Sequence, residues 1–110
     1  MANSNGFISF LLEQLQPLGG VSAKRMFGGH GVFRDGLMFA LVVDDQLYFK
    51  GDEALAEKCR HLGLTRFSYN KAGKVCHINY YQAPESSLDD PEELIDWAQQ
   101  AFSVARVAAK

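Results

Sequence analysis

Cysteine is scarce in this chain of 110 residues, which contains only Cys59 and Cys76. Their spacing fits neither a CxxC pair nor a metal knuckle, so we expect two reduced, structural thiols. Long apolar runs are also missing, because no stretch approaches the roughly 18 residues that span a bilayer. The first residues lack the basic segment of a secretory signal. These absences predict a cytoplasmic protein without membrane contact.

Catalytic motifs are missing as well. His30, His61 and His77 are scattered, and no two of them have the i, i+4 spacing of a helical zinc site. The pairs Asp44-Asp45 and Asp89-Asp90 lie where a turn and a helix cap need them. No GxSxG elbow organises a serine nucleophile. The sequence therefore predicts neither an enzyme nor a metal or cofactor site.

Charge is weakly negative overall, with 11 Lys and Arg against 13 Asp and Glu. This balance argues against the strongly basic surface of an obligate DNA-binding protein. The acids are concentrated near the end: residues 1–82 carry nine cations and seven anions, whereas residues 83–110 carry two and six. With 47% hydrophobic residues and no linker or repeat, residues 1–110 are predicted to form one domain.

Hydrophobic spacing predicts an α+β fold of order α-β-β-β-α-β-β-α. Amphipathic helices are expected over 7–18, 52–62 and about 91–108, and strands over about 25–34, 37–43, 46–50, 66–69 and 75–81. Asp35-Gly36 favours a tight hairpin, because both central residues of a type I′ turn need positive φ. We expect an antiparallel sheet of about five strands with the helices packed on it.

The run 37–43 is apolar on both faces of its predicted strand. It is therefore expected in the centre of the sheet, covered by helices on one side and by a partner chain on the other. The last predicted helix also has a seam of small residues that permits close approach. Together these features predict a homodimer.

The segment from Phe27 to Gly31 is rich in glycine and follows two cations. Its backbone amides are compatible with a phosphate-binding loop, or its glycines with a β-bulge or a close approach of another backbone. It matches neither the P-loop nor the dinucleotide fingerprint. The candidate interaction surface consists of Lys24, Arg25, Phe27, Gly28, Gly29 and His30.

Aromatic residues alternate with cations on the predicted strands. The aromatic residues are Tyr48, Phe49, Phe67, Tyr69, Tyr80 and Tyr81, and the cations are Lys50, Arg66, Lys71 and Lys74. Such a face is compatible with stacking of unpaired bases beside phosphate contacts. An ordinary core with a solvated rim is the favoured interpretation, because any half-buried strand shows alternating aromatic and polar residues.

The run 24–42, KRMFGGHGVFRDGLMFALV, resembles the signature of the TfoX N-terminal domain family, the Sxy-type competence regulators of bacteria. Later segments agree in order, among them 45–50, 67–69 and 94–98. The resemblance implies a small α+β domain. In full-length members it also implies a role in switching on DNA-uptake genes beside a cyclic-AMP-responsive activator. Those members carry a second, helical domain, and the resemblance supplies no site residues.

These observations predict a non-enzymatic regulatory or protein-interaction domain, a transcriptional co-regulator whose partner belongs to the transcription machinery. Direct nucleic-acid binding, weak if present, is the first alternative. A small-ligand sensor built on the glycine-rich segment is the second.

Overall fold

The computed structural model describes residues 5–26 and 28–109. Its elements are α1 (Asn5–Gln14), a 3₁₀ turn (Gln16–Leu18), β1 (Val21–Met26), β2 (Gly29–Arg34), β3 (Leu37–Val43), β4 (Gln46–Lys50), α2 (Glu53–His61), β5 (Arg66–Lys71), β6 (Lys74–Gln82), α3 (Glu85–Asp89) and α4 (Pro91–Ala108). The six strands form one antiparallel sheet in the order β1-β2-β3-β4-β6-β5. The predicted α+β class and antiparallel sheet are confirmed.

The strand count differs from the prediction, because the single strand expected over 25–34 is two strands. Met26 of β1 pairs with Gly29 of β2, so the chain reverses between them, and Gly28 has a φ of 75°. Glycine adopts this left-handed conformation at no steric cost, which permits the reversal. The structure also has the short helix α3, which the prediction lacked.

Two further hairpins have the turn chemistry that the sequence indicates. Asp35 and Gly36 have φ values of 51° and 79° between β2 and β3. Asp44 and Asp45, with φ values of 53° and 57°, join β3 to β4. Aspartate tolerates this region because its short side chain bonds locally with the backbone.

Aspartate side chains cap the N-termini of two helices. The Asp52 carboxylate accepts a hydrogen bond from the Leu55 amide at 3.0 Å at the start of α2. Asp90 accepts from the amides of Glu92 and Glu93 at 3.1 and 3.3 Å at the start of α4. Each carboxylate satisfies backbone donors that the first helical turn leaves unpaired, and the cap at Asp90 agrees with the sequence prediction.

The helices pack on one face of the sheet, called here the covered face. Small residues of α4, Ala98 and Ala101, are fully buried there and let the helix lie close to β3 and β4. Phe102 meets Phe39 of β3 edge to face, with ring centroids 6.1 Å apart. Helical and strand residues thus form a continuous core that also includes Leu11, Leu15, Leu18, Val32, Val42, Leu47, Phe49, Leu55, Cys59, Leu94 and Trp97.

A β-bulge directs extra apolar side chains into this core. Val32 pairs with Ala40, whereas Phe33 pairs with Met38, so Phe39 is an additional residue in β3. As a result, two consecutive residues of β3, Phe39 and Ala40, both belong to the core.

Among the helices of the described part of the chain, none is long and apolar enough to cross a membrane.

Candidate interaction surface

The opposite face of the sheet, called here the open face, is not covered by any helix of the described residues. Pairing in register places Lys24, Gly31, Leu41, Tyr48 and Gln82 side by side across five strands. Directly paired residues of antiparallel strands share a face, so this row defines the open face. Leu41 is only 6% exposed, yet it lies outside the core that the helices build. Its burial therefore comes from neighbouring strand side chains.

One half of the open face, on β1 to β3, is called here the methionine end. Its half-buried members Met26, Phe33 and Met38 surround Gly31. A Cβ built on Gly31 would lie 2.7 Å from the Met38 sulfur, 2.9 Å from the Met26 sulfur and 2.9 Å from the Phe33 ring. The missing side chain thus lets these three meet above the strand. Lys24 is exposed at the outer strand β1.

The other half of the open face, on β4 to β6, is called here the aromatic end. The Tyr48 and Phe67 rings meet edge to face with centroids 5.0 Å apart. Phe67 and Tyr69 lie nearly parallel, with centroids 6.3 Å apart and an interplanar angle of 28°. Tyr69 is the outermost ring, with 42% of its surface exposed. Lys71 and Lys74 pair beyond it at the tip of the β5–β6 hairpin, and both are exposed.

Tyr80 lies between the two ends. Its ring extends from β6 so that its hydroxyl donates to the Met38 carbonyl of β3, a long contact of 3.4 Å. The Lys50 ammonium lies 5.2 Å from the centre of that ring. Burial raises the pKa of Tyr80 to about 12. Burial, and secondly the charge of Asp44, also raises the pKa of Tyr48, so both hydroxyls remain protonated at neutral pH.

The candidate residues predicted from the glycine-rich segment do not form one surface. Lys24 pairs with Gly31 on the open face, whereas its neighbour Arg25 pairs with His30 on the opposite side of β1 and β2. Lys24 and Arg25 are exposed, and His30 is half-buried. Phe27, which belonged to the same set, lies outside the described residues.

The glycines of this segment have structural roles in the sheet. β2 is paired on both sides, by β1 and by β3, so its backbone amides belong to the two ladders. A Cβ on Gly29 would lie 2.4 Å from the Val42 carbonyl oxygen, so the close-approach interpretation agrees with the structure. Gly28 is exposed at the turn. This geometry does not support a phosphate-binding loop.

The predicted aromatic and basic set is divided by the sheet. Phe49 and Tyr81 pair with each other and pack against the core on the covered face. Arg66 is bound within the sheet, because its guanidinium donates to the Ile78 carbonyl at 3.0 Å and to the Asn79 side-chain oxygen at 2.7 Å. The remaining aromatic residues are those of the open face.

Charge is distributed by element type. Every Asp and Glu of the chain lies in a helix, a cap or a turn, and the six strands contain none. The Lys and Arg residues of the strands are Lys24, Arg25, Arg34, Lys50, Arg66, Lys71 and Lys74. The sheet is therefore cationic in a protein of net charge −2. Sequence reasoning missed this feature, because the charges were counted by position along the chain and not by element.

A groove of about 680 Å³ separates the start of α2 from the end of α4. Leu55, Val104 and Val107 contribute apolar surface to it, and Lys58 lies with its ammonium 4.5 Å from the centre of the Trp97 ring. The groove thus combines apolar walls with two lysines, Lys50 and Lys58, and with polar residues that include Asp52 and Ser103. Across residues 5–26 and 28–109, no three His, Cys, Asp or Glu side chains are grouped as metal ligands.

Both cysteines are free thiols. Cys59 is buried in the core, and burial raises the pKa of its thiol, which opposes formation of a reactive thiolate. Cys76 is half-buried on β6, where it pairs with Tyr69. The structure agrees with the prediction of reduced thiols.

Comparison with known proteins identifies the family of this fold. The profile described as the TfoX N-terminal domain matches residues 13–105, from α1 into α4 and across all six strands. The chain belongs to the TfoX N-terminal domain family. Both ends of the open face lie within the residues that match the TfoX N-terminal domain.

Three curated relatives are similar to this TfoX N-terminal domain. It is 31% identical over 93 residues to the DNA transformation protein TfoX1 of Aliivibrio fischeri, and 28% identical over 93 residues to Protein Sxy of Escherichia coli. It is 36% identical over 74 residues to the DNA transformation protein TfoX of Haemophilus influenzae. These matches cover 84%, 84% and 66% of the chain but only 44%, 44% and 33% of the relatives. The chain thus spans less than half the length of the relatives it matches.

Proposed function

We propose that this TfoX N-terminal domain is a non-catalytic regulatory domain of the cytoplasm that acts by binding a protein of the transcription machinery. The observation that carries the proposal is the methionine end of the open face. Met26, Phe33 and Met38 form a half-buried apolar patch there that belongs to no helix-covered core. Flexible, polarisable methionines suit a surface that adapts to a partner. The names of two relatives concern DNA transformation, so we assign the regulation to genes of DNA uptake.

Lys24 gives the patch a charged rim, since it is exposed on the outer strand and shares the open face with Gly31. Its neighbour Arg25 is equally exposed but directed to the other side of the strand. The two cations therefore form a matched pair for locating the partner. A partner bound to the methionine end contacts Lys24 and not Arg25.

The experiment is a deletion of the gene in its host, followed by transcript profiling and complementation. Wild type and Arg25→Glu are expected to restore the transcripts that change on deletion, and Lys24→Glu is expected to fail at equal protein abundance. A charge reversal at an interface rim weakens association without unfolding the domain, because both positions are solvent-exposed. An unchanged profile on deletion, or equal complementation by both variants, would refute the proposal.

The predicted homodimer stays a prediction. A second copy is a competing occupant of the open face, and light scattering of the purified chain distinguishes it. A dimer that Lys24→Glu dissociates would assign the methionine end to self-association and not to a regulatory partner.

A further inference from the structure

We propose that the aromatic end of the open face binds single-stranded nucleic acid, with Tyr69 stacking on a base and Lys71 and Lys74 contacting phosphates. This inference goes beyond the proposed protein partner, which uses the methionine end. The bound chemistry is an unpaired base with its phosphodiester backbone, and it is shared by DNA and RNA single strands.

The rings provide the stacking platform. Phe67 and Tyr69 are nearly parallel at 6.3 Å, and Tyr48 supports Phe67 edge to face at 5.0 Å. The inner rings hold the outer ring in place, and Tyr69 leaves 42% of its surface exposed. Aromatic side chains presented by a sheet stack on unpaired bases, typically about two or three of them, whatever the base. A base inside a duplex does not offer this face.

The cations provide the phosphate contacts. Strand alternation places Lys71 on the same side as Tyr69, and the cross-strand pair Lys71 and Lys74 brings two like charges together at the hairpin tip. Like charges directly opposite each other destabilise a hairpin, so the pairing has an intrinsic cost in the unbound domain. A bound phosphate lying near both ammonium groups would relieve this repulsion.

The charge pattern favours a polyanion over an apolar partner at this end. The strands contain neither Asp nor Glu, and four of their cations lie on the open face, Lys24, Lys50, Lys71 and Lys74, so a chain of phosphates crossing this face meets cations. Asp44 lies in the turn between β3 and β4, and after burial its charge is the second cause of the raised pKa of Tyr48, so a negative charge acts on that ring. The phosphates are therefore placed at the Lys71 side and not at the Asp44 side.

The binding is expected to be weak and dependent on salt. Two lysines contact phosphates in this arrangement, Lys71 and Lys74, and single strands release about 0.7 counterions per phosphate neutralised. The logarithm of the affinity should therefore fall with the logarithm of salt concentration with a slope of roughly −1.4. The acidic helices on the other face limit the affinity through their repulsion.

The inference is tested by fluorescence anisotropy, in which the full chain is titrated into labelled oligonucleotides. The probes are oligothymidylate, oligouridylate and a mixed-sequence duplex, each of about twelve nucleotides or base pairs, a length set by usual single-strand site sizes. We expect one or both single strands to bind more tightly than the duplex. The two single-strand arms tell DNA from RNA, and binding of either supports the inference.

Substitutions at Tyr69 and at the two lysines identify the residues. Tyr69→Ala should weaken binding about fivefold or more, whereas Tyr69→Phe should retain it, because the ring and not the hydroxyl stacks. Lys71→Gln combined with Lys74→Gln should bring the salt slope close to zero, since neither phosphate-contacting lysine remains. Phe10→Ala is the matched control for Tyr69→Ala, because Phe10 is a similarly exposed aromatic residue, at 37%, that lies on helix α1 and not on a strand.

Several outcomes overturn the inference. They are the absence of binding at low salt, tighter binding of the duplex, and equal binding by Tyr69→Ala and wild type with both proteins folded. A dimer in light scattering that Tyr69→Ala dissociates would mean that a second copy, and not a nucleic acid, occupies the aromatic end. The proposed regulatory function fails separately, in the comparison of Lys24→Glu with Arg25→Glu, because those residues lie at the other end.

Discussion

The two faces of the six-stranded sheet differ in how their side chains are buried. The covered face is buried against helices by aliphatic, alanine and phenylalanine side chains, and its Phe39 and Val42 are fully inaccessible. Within the described part of the chain, the open face is covered by its own side chains, among them Leu41 and Tyr80, which are buried, and Tyr69, which is not. The helix-covered core and the proposed partner-binding residues are therefore separated by the thickness of one sheet.

This separation explains the choice of residue types. The covered face needs small residues where α4 approaches and large ones where it does not, since protein interiors are close-packed. The open face uses long side chains, methionines, tyrosines and lysines, that cover a strand without help from a helix. The acids lie on the helices and turns, so the two sides also differ in charge.

The largest expected effect contrasts two phenylalanines of neighbouring strands. Phe39→Ala should lower the free energy of unfolding by about 3–5 kcal/mol, because it empties space in the core beside Phe102. Phe33→Ala, on the half-buried open face, should cost less than half as much. Urea unfolding of both variants measures the difference. Equal losses would show that the open face is as tightly packed as the covered one.

A smaller effect contrasts two glycines of β2. Gly29→Ala should destabilise by about 1–3 kcal/mol, because the added Cβ meets the Val42 backbone carbonyl, which cannot move without shifting β3. Gly31→Ala should cost less than Gly29→Ala, because its Cβ meets only side-chain atoms, the sulfurs of Met26 and Met38 and the edge of the Phe33 ring, which can move without shifting a strand. Thermal unfolding gives the ranking. The reverse order would mean that the methionines are held rigidly.

The smallest effect is pH-dependent and concerns Tyr80. Its pKa is raised to about 12 from an unfolded value of 10, so the fold favours the protonated phenol. The corresponding stability is complete below pH 10 and is lost as the pH rises through about 12. Tyr80→Phe should remove this loss, so the stabilities of variant and wild type should converge or cross over that interval. Denaturant unfolding at a series of alkaline pH values provides the measurement, and parallel curves would contradict it.

Much of the fold was predictable from local signals. The turn at Asp35-Gly36 and the caps at Asp52 and Asp90 depend on short-range hydrogen bonds and on backbone conformations that few residues adopt. The extra strand β1 was missed because the reversal at Gly28 lies within a run that reads as one strand. The bulge at Phe39 was missed for a related reason: it is defined by pairing with β2, and not by the residues of β3.

The candidate site was predictable only in part. Lys24 and the tyrosines were identified as residues, but a strand pattern does not say which face a helix will cover. In the structure, Arg25 and His30 lie on one face of the sheet and Lys24 lies on the other. Tyr69 and Tyr81 are likewise on opposite faces.

The sequence by itself determined the class of fold, the family and the positions of the turns and caps, because these follow from periodicity, from local hydrogen bonding and from a long motif. The tertiary structure alone decided that no helix of residues 5–26 and 28–109 covers one face of the sheet, and that four strand lysines, Lys24, Lys50, Lys71 and Lys74, lie on that face with the rings of Tyr48, Phe67 and Tyr69. The physical reason is that successive side chains of a strand alternate between its two faces, so the local sequence does not distinguish one face from the other. Only the packing of distant helices on one of them distinguishes a core from a surface.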